Sequence, residues 1–380
     1  MQKFVKALFP AVSVLALAAC GAAAEETTPA TNQPANNEPA ATAPADQTPT
    51  DAVDVSIALI AHSPESILDD GSFNQGAWQG IQAFANAHGL AASQTQFFQP
   101  HEGSDAARID LIYEAIASGH NFIVLPGFHF VASSYEAQNL FPDTQFVVLD
   151  AVPAGGVINN NLVAIEYAEE EAGFLAGYAA VMEGYRHLGF MGGIAVPAVV
   201  RFGHGFIQGA EHAAESLGLA AGELIINYTY LGSFAPSPEV TTQAAAWYVS
   251  GVEVIFAAAG GAGGSVFAAA EGAGASAIGV DVNQSGDSDS VITSAMKGLA
   301  PSVYAMLTDF VAGNFRGGQH LIFDASIDGV ALPMNDSRFT NFTQAQYDAI
   351  FAQLASGAVS VSNSLEMGDI QTTLVTVNEM

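Results

Sequence analysis

The chain has 380 residues, and its 38 acidic side chains against 8 lysines and arginines give a formal charge of −30 at pH 7. So negative a field repels polyanions, and we expect no nucleic-acid partner. The one cysteine excludes a disulfide within the chain and a cysteine-rich zinc site, so the stability must come from a large apolar core.

The N-terminus has the pattern of a bacterial lipoprotein signal. Lys3 and Lys6 precede an apolar run at 7–19, which is too short to cross a bilayer but suits a secretory signal peptide. The run leads into Leu-Ala-Ala-Cys-Gly, a lipobox pattern in which Cys20 carries the lipid. We predict a signal peptide over 1–19 and a lipid-anchored protein that faces the periplasm or the exterior.

Residues 20–52 have the composition of a linker. After Cys20 the segment contains mainly Ala, Pro, Thr, Asn, Gln and Glu and no large apolar side chain, so it cannot bury enough surface to offset the entropy of ordering. We predict a disordered tether that lets the folded part work at some distance from the membrane.

Apolar strands alternate with helices of ten to fifteen residues from about residue 53 onward, which predicts parallel sheets covered on both faces. The predicted strands are 55–61, 94–99, 122–125 and 146–149 in one half and 188–191, 224–230, 254–257 and 277–280 in the other. The predicted helices are 74–88, 106–117 and 129–139, then 203–217, 239–249 and 265–271.

The two halves are related in sequence. Residues 73–90 and 202–219 have the same length and share seven of eighteen residues. Downstream of these segments, matching residues keep similar spacings in the two halves. The sequence therefore predicts one α/β unit that is present twice. The size of the folded part also favours two lobes over one core.

Six residues of this repeat follow predicted strands, where parallel α/β sheets bind ligands. Phe73 and Phe202 are also compatible with ordinary core positions, and Gly127 and Gly260 with plain turns, but the symmetric placement favours a cleft between two lobes. The six residues are Phe73, Gly127 and Asp150 in the first half and Phe202, Gly260 and Asp281 in the second.

The last part of the chain predicts a hinge. Strand 291–297, helix 301–315 and strand 321–323 follow the second half. We expect lobe one to comprise 53–160 and 283–322, and lobe two 161–282 and 323–380. Several crossovers between lobes form a hinge suited to closing over a small molecule.

Residues 169–171 are all glutamate and begin a predicted helix, where the helix dipole favours negative charge. Gly173 and Gly177 follow and indicate close helix packing.

From residue 53 onward the sequence resembles the basic membrane protein family, the substrate-binding lipoproteins of ABC importers. That resemblance implies an α/β, type I periplasmic-binding-protein fold, with two doubly wound parallel-sheet lobes joined by a multi-crossover hinge. Its best understood members are purine nucleoside receptors. The motifs that carry the resemblance are Asp69-Asp70-Gly71-Ser72-Phe73-Asn74-Gln75, Gly192-Gly193 with Pro197, Phe202-Gly203-His204-Gly205-Phe206 and Gly279-Val280-Asp281.

The resemblance also implies roles for individual residues. Phe73 and Asn74 would hold the base, Phe202 would stack on its other face, and Asp150 would bind a base edge. Stacking on the two rings does not distinguish one base from another. The amide of Asn74 and the carboxylate of Asp150 can discriminate between base edges through hydrogen bonds.

Asp281 and Lys297 would hold the ribose hydroxyls, and the Gly260 turn allows the backbone to approach the sugar closely. Lys297 is the only lysine after residue 19. Although it also fits a chance surface position, in the cleft it would offset a buried carboxylate.

Three functions fit these residues. The leading one is a receptor that delivers a neutral purine nucleoside to ABC permease and ATPase subunits. A nucleosidase using Asp150 or Asp281 to activate water is disfavoured, because no carboxylate cluster or metal-ligand spacing is visible, and we expect no metal and no cofactor. A sensor lipoprotein that binds a sugar or another small molecule is the third.

Overall fold

Two sheets dominate residues 54–380, the part of the chain that this computed structural model describes. The predicted signal peptide, lipidated Cys20 and linker lie outside the described residues. In chain order the elements are β1 (Ile57–Ile60), α1 (Phe73–His88), β2 (Thr95–Phe98), α2 (Asp105–Ala117), β3 (Phe122–Pro126), α3 (Val131–Leu140), β4 (Gln145–Leu149), β5 (Leu162–Tyr167), α4 (Glu169–Glu183), β6 (His187–Gly192), α5 (Pro197–Leu217), β7 (Leu224–Tyr230), α6 (Pro238–Val249), β8 (Val254–Ala258), α7 (Gly263–Ala273), β9 (Ser276–Asp281), β10 (Val291–Lys297), α8 (Leu299–Val311), β11 (His320–Phe323), β12 (Val330–Ala331), α9 (Gln344–Ala355) and β13 (Val375–Glu379).

The first sheet has the order β11-β5-β4-β3-β1-β2, and all its neighbouring strands are parallel. The second has the order β12-β10-β9-β8-β6-β7-β13, and only the short β12 pairs in the antiparallel sense among the strands described. Each sheet belongs to one lobe, with the carboxyl ends of β1, β3 and β4 in the first lobe corresponding to those of β6, β8 and β9 in the second.

Each sheet is covered on both faces. Along β1, Ile57 and Leu59 enter one apolar cluster with α1 and α8, whereas Ala58 and Ile60 enter another with α2 and α3. Successive side chains of a strand point to opposite faces, so a strand buried on both faces must be apolar throughout. This explains the continuous apolar runs in the sequence.

Helices α4 and α5 pack with their backbones in contact. A Cβ atom at Gly173 or Gly177 would collide with the carbonyl oxygen of Phe202 or Phe206, respectively. Gly205 and Gly209 of α5 are equally close to the backbone of α4. This packing fixes the start of α4 beside the residues of α5 that face the cleft.

The lobe boundaries differ from the expected ones. Strand β5 pairs with β4, so the first lobe continues to Tyr167 and not only to residue 160. Strand β10 pairs with β9 in the second sheet, so the prediction that residues 283–297 belong to lobe one is wrong. A short loop after β9 is enough to bring β10 alongside it, and the chain changes lobe only after Lys297, where α8 packs on α1.

The first lobe therefore comprises 54–167 and 299–323, and the second comprises 169–297 and 325–380. Three crossovers join them: 167–169, 297–299 and 323–325. None of the helices within residues 54–380 combines the length and hydropathy that a bilayer crossing requires.

Candidate functional site

The ammonium group of Lys297 lies among three carboxylates at the end of β10. Its Nζ donates a hydrogen bond to Oδ2 of Asp150 at 2.5 Å and lies 3.0 Å from Oε1 of Glu169 and 3.9 Å from Oδ1 of Asp281. The lysine side chain is only 2% exposed. The structure thus brings the lysine and both aspartates singled out from the sequence into one cluster between the lobes.

Three aromatic rings surround the same ammonium. Nζ lies 5.0 Å from the ring centroid of Phe73, 5.3 Å from that of Phe202 and 5.4 Å from that of Tyr167. These distances are within the range of cation–π attraction. Phe73 begins α1 in the first lobe and Phe202 lies in α5 in the second, so the predicted pair of rings meets the lysine from both sides.

Asp150 and Asp281 share an unusual backbone conformation. Their φ angles are 53° and 66°, in the left-handed region that few residues other than glycine adopt. Each follows or ends the corresponding strand of its lobe, β4 or β9. The shared conformation turns both carboxylates off the sheet edge toward the cleft, and such strain is typical of functional sites.

Glu169 connects this cluster to a second cation. Its Oε2 accepts a hydrogen bond from Nε of Arg201 at 2.6 Å, and its side chain is completely buried. Arg201 also reaches Oε1 of Glu166 at 3.3 Å, and Nε2 of His320 lies 2.8 Å from the other oxygen of that carboxylate. A chain of charged groups therefore runs from Lys297 through Glu169 and Arg201 to Glu166.

The cluster shifts the ionisation of its members. Burial raises the pKa of Asp150 to about 7, although Lys297 opposes the shift, and burial also raises the pKa of Asp281. Burial by itself would raise the pKa of Glu169, but the charges of Lys297 and Arg201 outweigh it and lower that pKa. One ammonium cannot neutralise three buried carboxylates. The carboxyl group with the least stabilisation from nearby cations therefore keeps its proton most readily.

The pKa of Lys297 is raised, because its three carboxylate neighbours outweigh the burial that would lower it. The lysine is therefore a permanent cation at neutral pH. Oδ1 of Asp150 is buried and has no hydrogen-bond partner within the described part of the chain. That oxygen therefore retains unused capacity to accept a hydrogen bond.

Asn74 and Gly127 both lie near the cluster around Lys297. The side-chain amide of Asn74 donates hydrogen bonds to Ser66 Oγ and to the carbonyl oxygen of Ile67, so its donors hold the loop between β1 and α1. Gly127 has a φ of 105°, and a Cβ atom there would lie 4.0 Å from the Phe73 ring.

Gly260 has a φ of 53°, and Phe234 lies over it, 3.5 Å from where its Cβ would be. The Phe234 side chain therefore covers this side of the Gly260 turn. The binding roles of Asn74 and Gly260 therefore stay predictions.

Sequence reasoning missed four members of the site: Ser72, Tyr167, Glu169 and Arg201. For the run 169–171 the sequence predicts only the start of a helix. Its position directly after β5 is the signal that would have indicated a site residue, because parallel strands bind ligands beyond their carboxyl ends. That signal was hidden because β5 itself was not predicted.

A family model described as ABC transporter substrate-binding protein PnrA-like (Bmp) matches residues 55–363. Among relatives, the nucleoside-binding protein BmpA of an ABC transporter from Lactococcus lactis is 27% identical over 71% of this chain and 79% of its own length. Basic membrane protein A1 of Borrelia garinii is 31% identical over 67% of this chain and 73% of its own length.

Solved structures agree on the fold. A solute-binding protein of an ABC transporter system from Aeropyrum pernix superposes with a TM-score of 0.69 at 20% identity, covering 83% of this chain and 95% of its own. A solute-binding protein from Conexibacter woesei superposes with a TM-score of 0.66 at 23% identity, covering 81% and 99%. The expected type I periplasmic-binding-protein fold is confirmed.

The match to the family model covers both lobes and every residue of the cluster around Lys297. This chain belongs to the Bmp family of ABC transporter substrate-binding proteins.

Proposed function

We propose that this chain captures a purine nucleoside, such as inosine, guanosine or adenosine, for an ABC importer and is held at the membrane by a lipid on Cys20. The observation that carries the proposal is the meeting of two rings and three carboxylates around one buried ammonium between the lobes. The nucleoside-binding relative from Lactococcus lactis supports the same class of ligand.

The base binds between Phe73 and Phe202. A flat heterocycle gains stacking on both faces, worth about 1–3 kcal/mol for each aromatic partner. The rings now contact the lysine ammonium, so the entering base replaces these cation–π contacts with stacking. The apolar faces also exclude water from the polar edge of the base.

Asp150 reads the base edge through Oδ1, the oxygen left without a protein partner. Since its pKa is raised to about 7, the group is present both as carboxylate and as acid near neutral pH. The carboxylate accepts from an N–H of a 6-oxo purine, and the acid donates to the ring nitrogen of a 6-amino purine. One residue thereby accommodates both classes of purine.

Asp281 and Lys297 bind the ribose. A carboxylate accepts hydrogen bonds from two vicinal hydroxyl groups, and the neighbouring ammonium donates to a hydroxyl oxygen. A nucleotide is rejected, because a phosphate would enter a cluster in which acidic groups already outnumber the two cations, Lys297 and Arg201.

Closure of the two lobes encloses the bound ligand. Residues of both lobes form the cluster, so the ligand is enclosed only when the hinge brings the lobes together. The closed form then delivers the nucleoside to permease and ATPase subunits. The lipid on Cys20 keeps the protein on the outer side of the membrane that carries them.

Calorimetric titration with inosine, guanosine, adenosine, cytidine, ribose and inosine monophosphate tests the proposal. We expect binding of the three purine nucleosides and at least about tenfold weaker binding of the others. Tight binding of free ribose with no gain from the base would replace the nucleoside with a sugar. Prolonged incubation with inosine separates the enzyme alternative, because release of free hypoxanthine would contradict a receptor.

A further inference from the structure

Glu169 is the only carboxylate within residues 54–380 that contacts both Lys297 and Arg201. Its two oxygens are divided between them, with Oε1 at 3.0 Å from the ammonium and Oε2 at 2.6 Å from Nε of the guanidinium. The side chain has no exposed surface. It is thus enclosed by protein and turned away from solvent.

The position of Glu169 in the hinge distinguishes it from the other two acids. It is the first residue of α4 and the last residue of the first crossover, and Lys297 ends β10 at the second crossover. Two residues further, Glu171 accepts a hydrogen bond from the backbone N–H of Ala325 at the third crossover, at 2.7 Å. The glutamate run therefore contacts all three connections between the lobes.

A ligand changes the charge balance around Lys297. When a nucleoside binds, Asp150 and Asp281 share their negative charge between the lysine and hydrogen bonds to the base or the ribose, Asp150 through Oδ1, the oxygen that does not contact the lysine. A buried ammonium that loses its counter-charges is strongly destabilised. The lysine is therefore stabilised by a carboxylate that it does not share with the ligand, and Glu169 is the one of its three neighbours that meets this condition.

We infer that Glu169 is the positioning residue that supplies this permanent counter-charge and holds the Lys297 ammonium at the ribose subsite while the two aspartates bind the ligand. The inference rests on the proposed function for the identity of the ligand. Arg201 completes the arrangement, because its hydrogen bond to Oε2 fixes the orientation in which Oε1 meets the lysine.

Titration with inosine and with 2′-deoxyinosine tests this role in three variants. Glu169→Gln removes the charge, and Glu169→Asp keeps the charge but withdraws it by one methylene group. Glu171→Gln is the matched control, because it alters the adjacent hinge carboxylate, which makes no contact with Lys297. We expect both Glu169 variants to lose most of the preference for ribose over deoxyribose, by about tenfold or more, and the control to keep it.

The lysine itself supplies a readout that does not depend on any ligand. The full chain contains only Lys3, Lys6 and Lys297, so lysine labelled with ¹⁵N gives three side-chain signals at most, and Lys297→Arg assigns the third. A buried, hydrogen-bonded ammonium exchanges slowly with water and gives an Nζ–H cross-peak. We expect this cross-peak to shift or broaden in both Glu169 variants and to stay unchanged in Glu171→Gln.

The two measurements separate the inference from the function beneath it. If the wild-type protein binds no nucleoside, the proposed function fails, and the Lys297 cross-peak still decides whether Glu169 positions the lysine. If Glu169→Gln does not fold, Glu169→Asp carries both tests. A Lys297 cross-peak that is unchanged in a folded Glu169 variant overturns the inference, whatever the affinities.

Discussion

Ser72 of the first lobe donates a hydrogen bond from Oγ to Oδ2 of Asp281 in the second lobe, at 2.5 Å. Ser72 is completely buried, directly before α1, and its side chain makes no bond to the backbone N–H groups at the start of that helix. A hydroxyl that would usually cap a helix instead links the lobes and orients the carboxylate that we propose binds the ribose.

Ser72→Ala should weaken nucleoside binding. A hydrogen bond to a charged group contributes about 1.5–3 kcal/mol, so we expect the dissociation constant to rise by about tenfold or more in calorimetry. Ser104→Ala is the control, because Ser104 caps α2 and its side chain bonds only to Glu102 and Ala107 among the described residues. Equal affinities in Ser72→Ala and the wild type would show that the lobe-to-lobe bond does not orient Asp281 for the ligand.

Phe202→Ala should reduce the affinity by about tenfold or more, because one face of the base loses its stacking partner. Phe202→Leu retains apolar volume but has no aromatic face, so it separates stacking from packing. We expect it to bind nearly as weakly as the alanine variant while its melting temperature stays closer to the wild type. An affinity within a factor of two of the wild type in Phe202→Ala would contradict the stacking arrangement.

Gly177→Ala should destabilise the second lobe, because a Cβ atom there collides with the carbonyl oxygen of Phe206. We expect a loss of about 1–3 kcal/mol in the free energy of unfolding, since the two helices must move apart. Gly272→Ala is the matched control in α7, where a Cβ atom meets nothing within 4 Å. There the substitution should stabilise the helix by about 0.5–1 kcal/mol. Similar thermal or urea unfolding of the two variants would contradict the close packing of α4 on α5.

The stability of the protein should depend on the ionisation of Asp150. Its pKa is raised from 3.8 to about 7 in the folded state, so the folded state binds the proton more tightly than the unfolded state. This contribution to stability is complete below pH 4 and is lost as the pH rises through about 7. Asp150→Asn cannot ionise, so its melting temperature should fall less between pH 5 and pH 8 than that of the wild type.

Burial also raises the pKa of Glu170 to about 7, so Glu170 makes the stability of both proteins fall with rising pH. The quantity to measure is therefore the difference in melting temperature between the wild type and Asp150→Asn at each pH. Parallel pH profiles in scanning calorimetry would show that Asp150 is ionised throughout.

Much of the fold could be predicted because it depends on residues close together in the chain. Apolar runs of strand length, glycine at helix ends and the repeat between 73–90 and 202–219 all express local preferences. The same regularity predicted Asp150 and Asp281, because a residue at the end of a parallel strand lies at the sheet edge that faces the cleft, whereas Phe73 and Phe202 reach that edge from the helices α1 and α5. Their meeting around Lys297 agrees with that reasoning.

What the sequence alone determined is therefore the α/β repeat, the two lobes and the residues at the strand ends that point to a shared cleft. The pairing of β10 in the second sheet and the contacts of Glu169 and Ser72 in the site became visible only in the folded structure. Strand pairing and the balance of buried charge depend on contacts between segments that are distant in the sequence. These contacts, and the free energy they contribute, exist only in the folded chain.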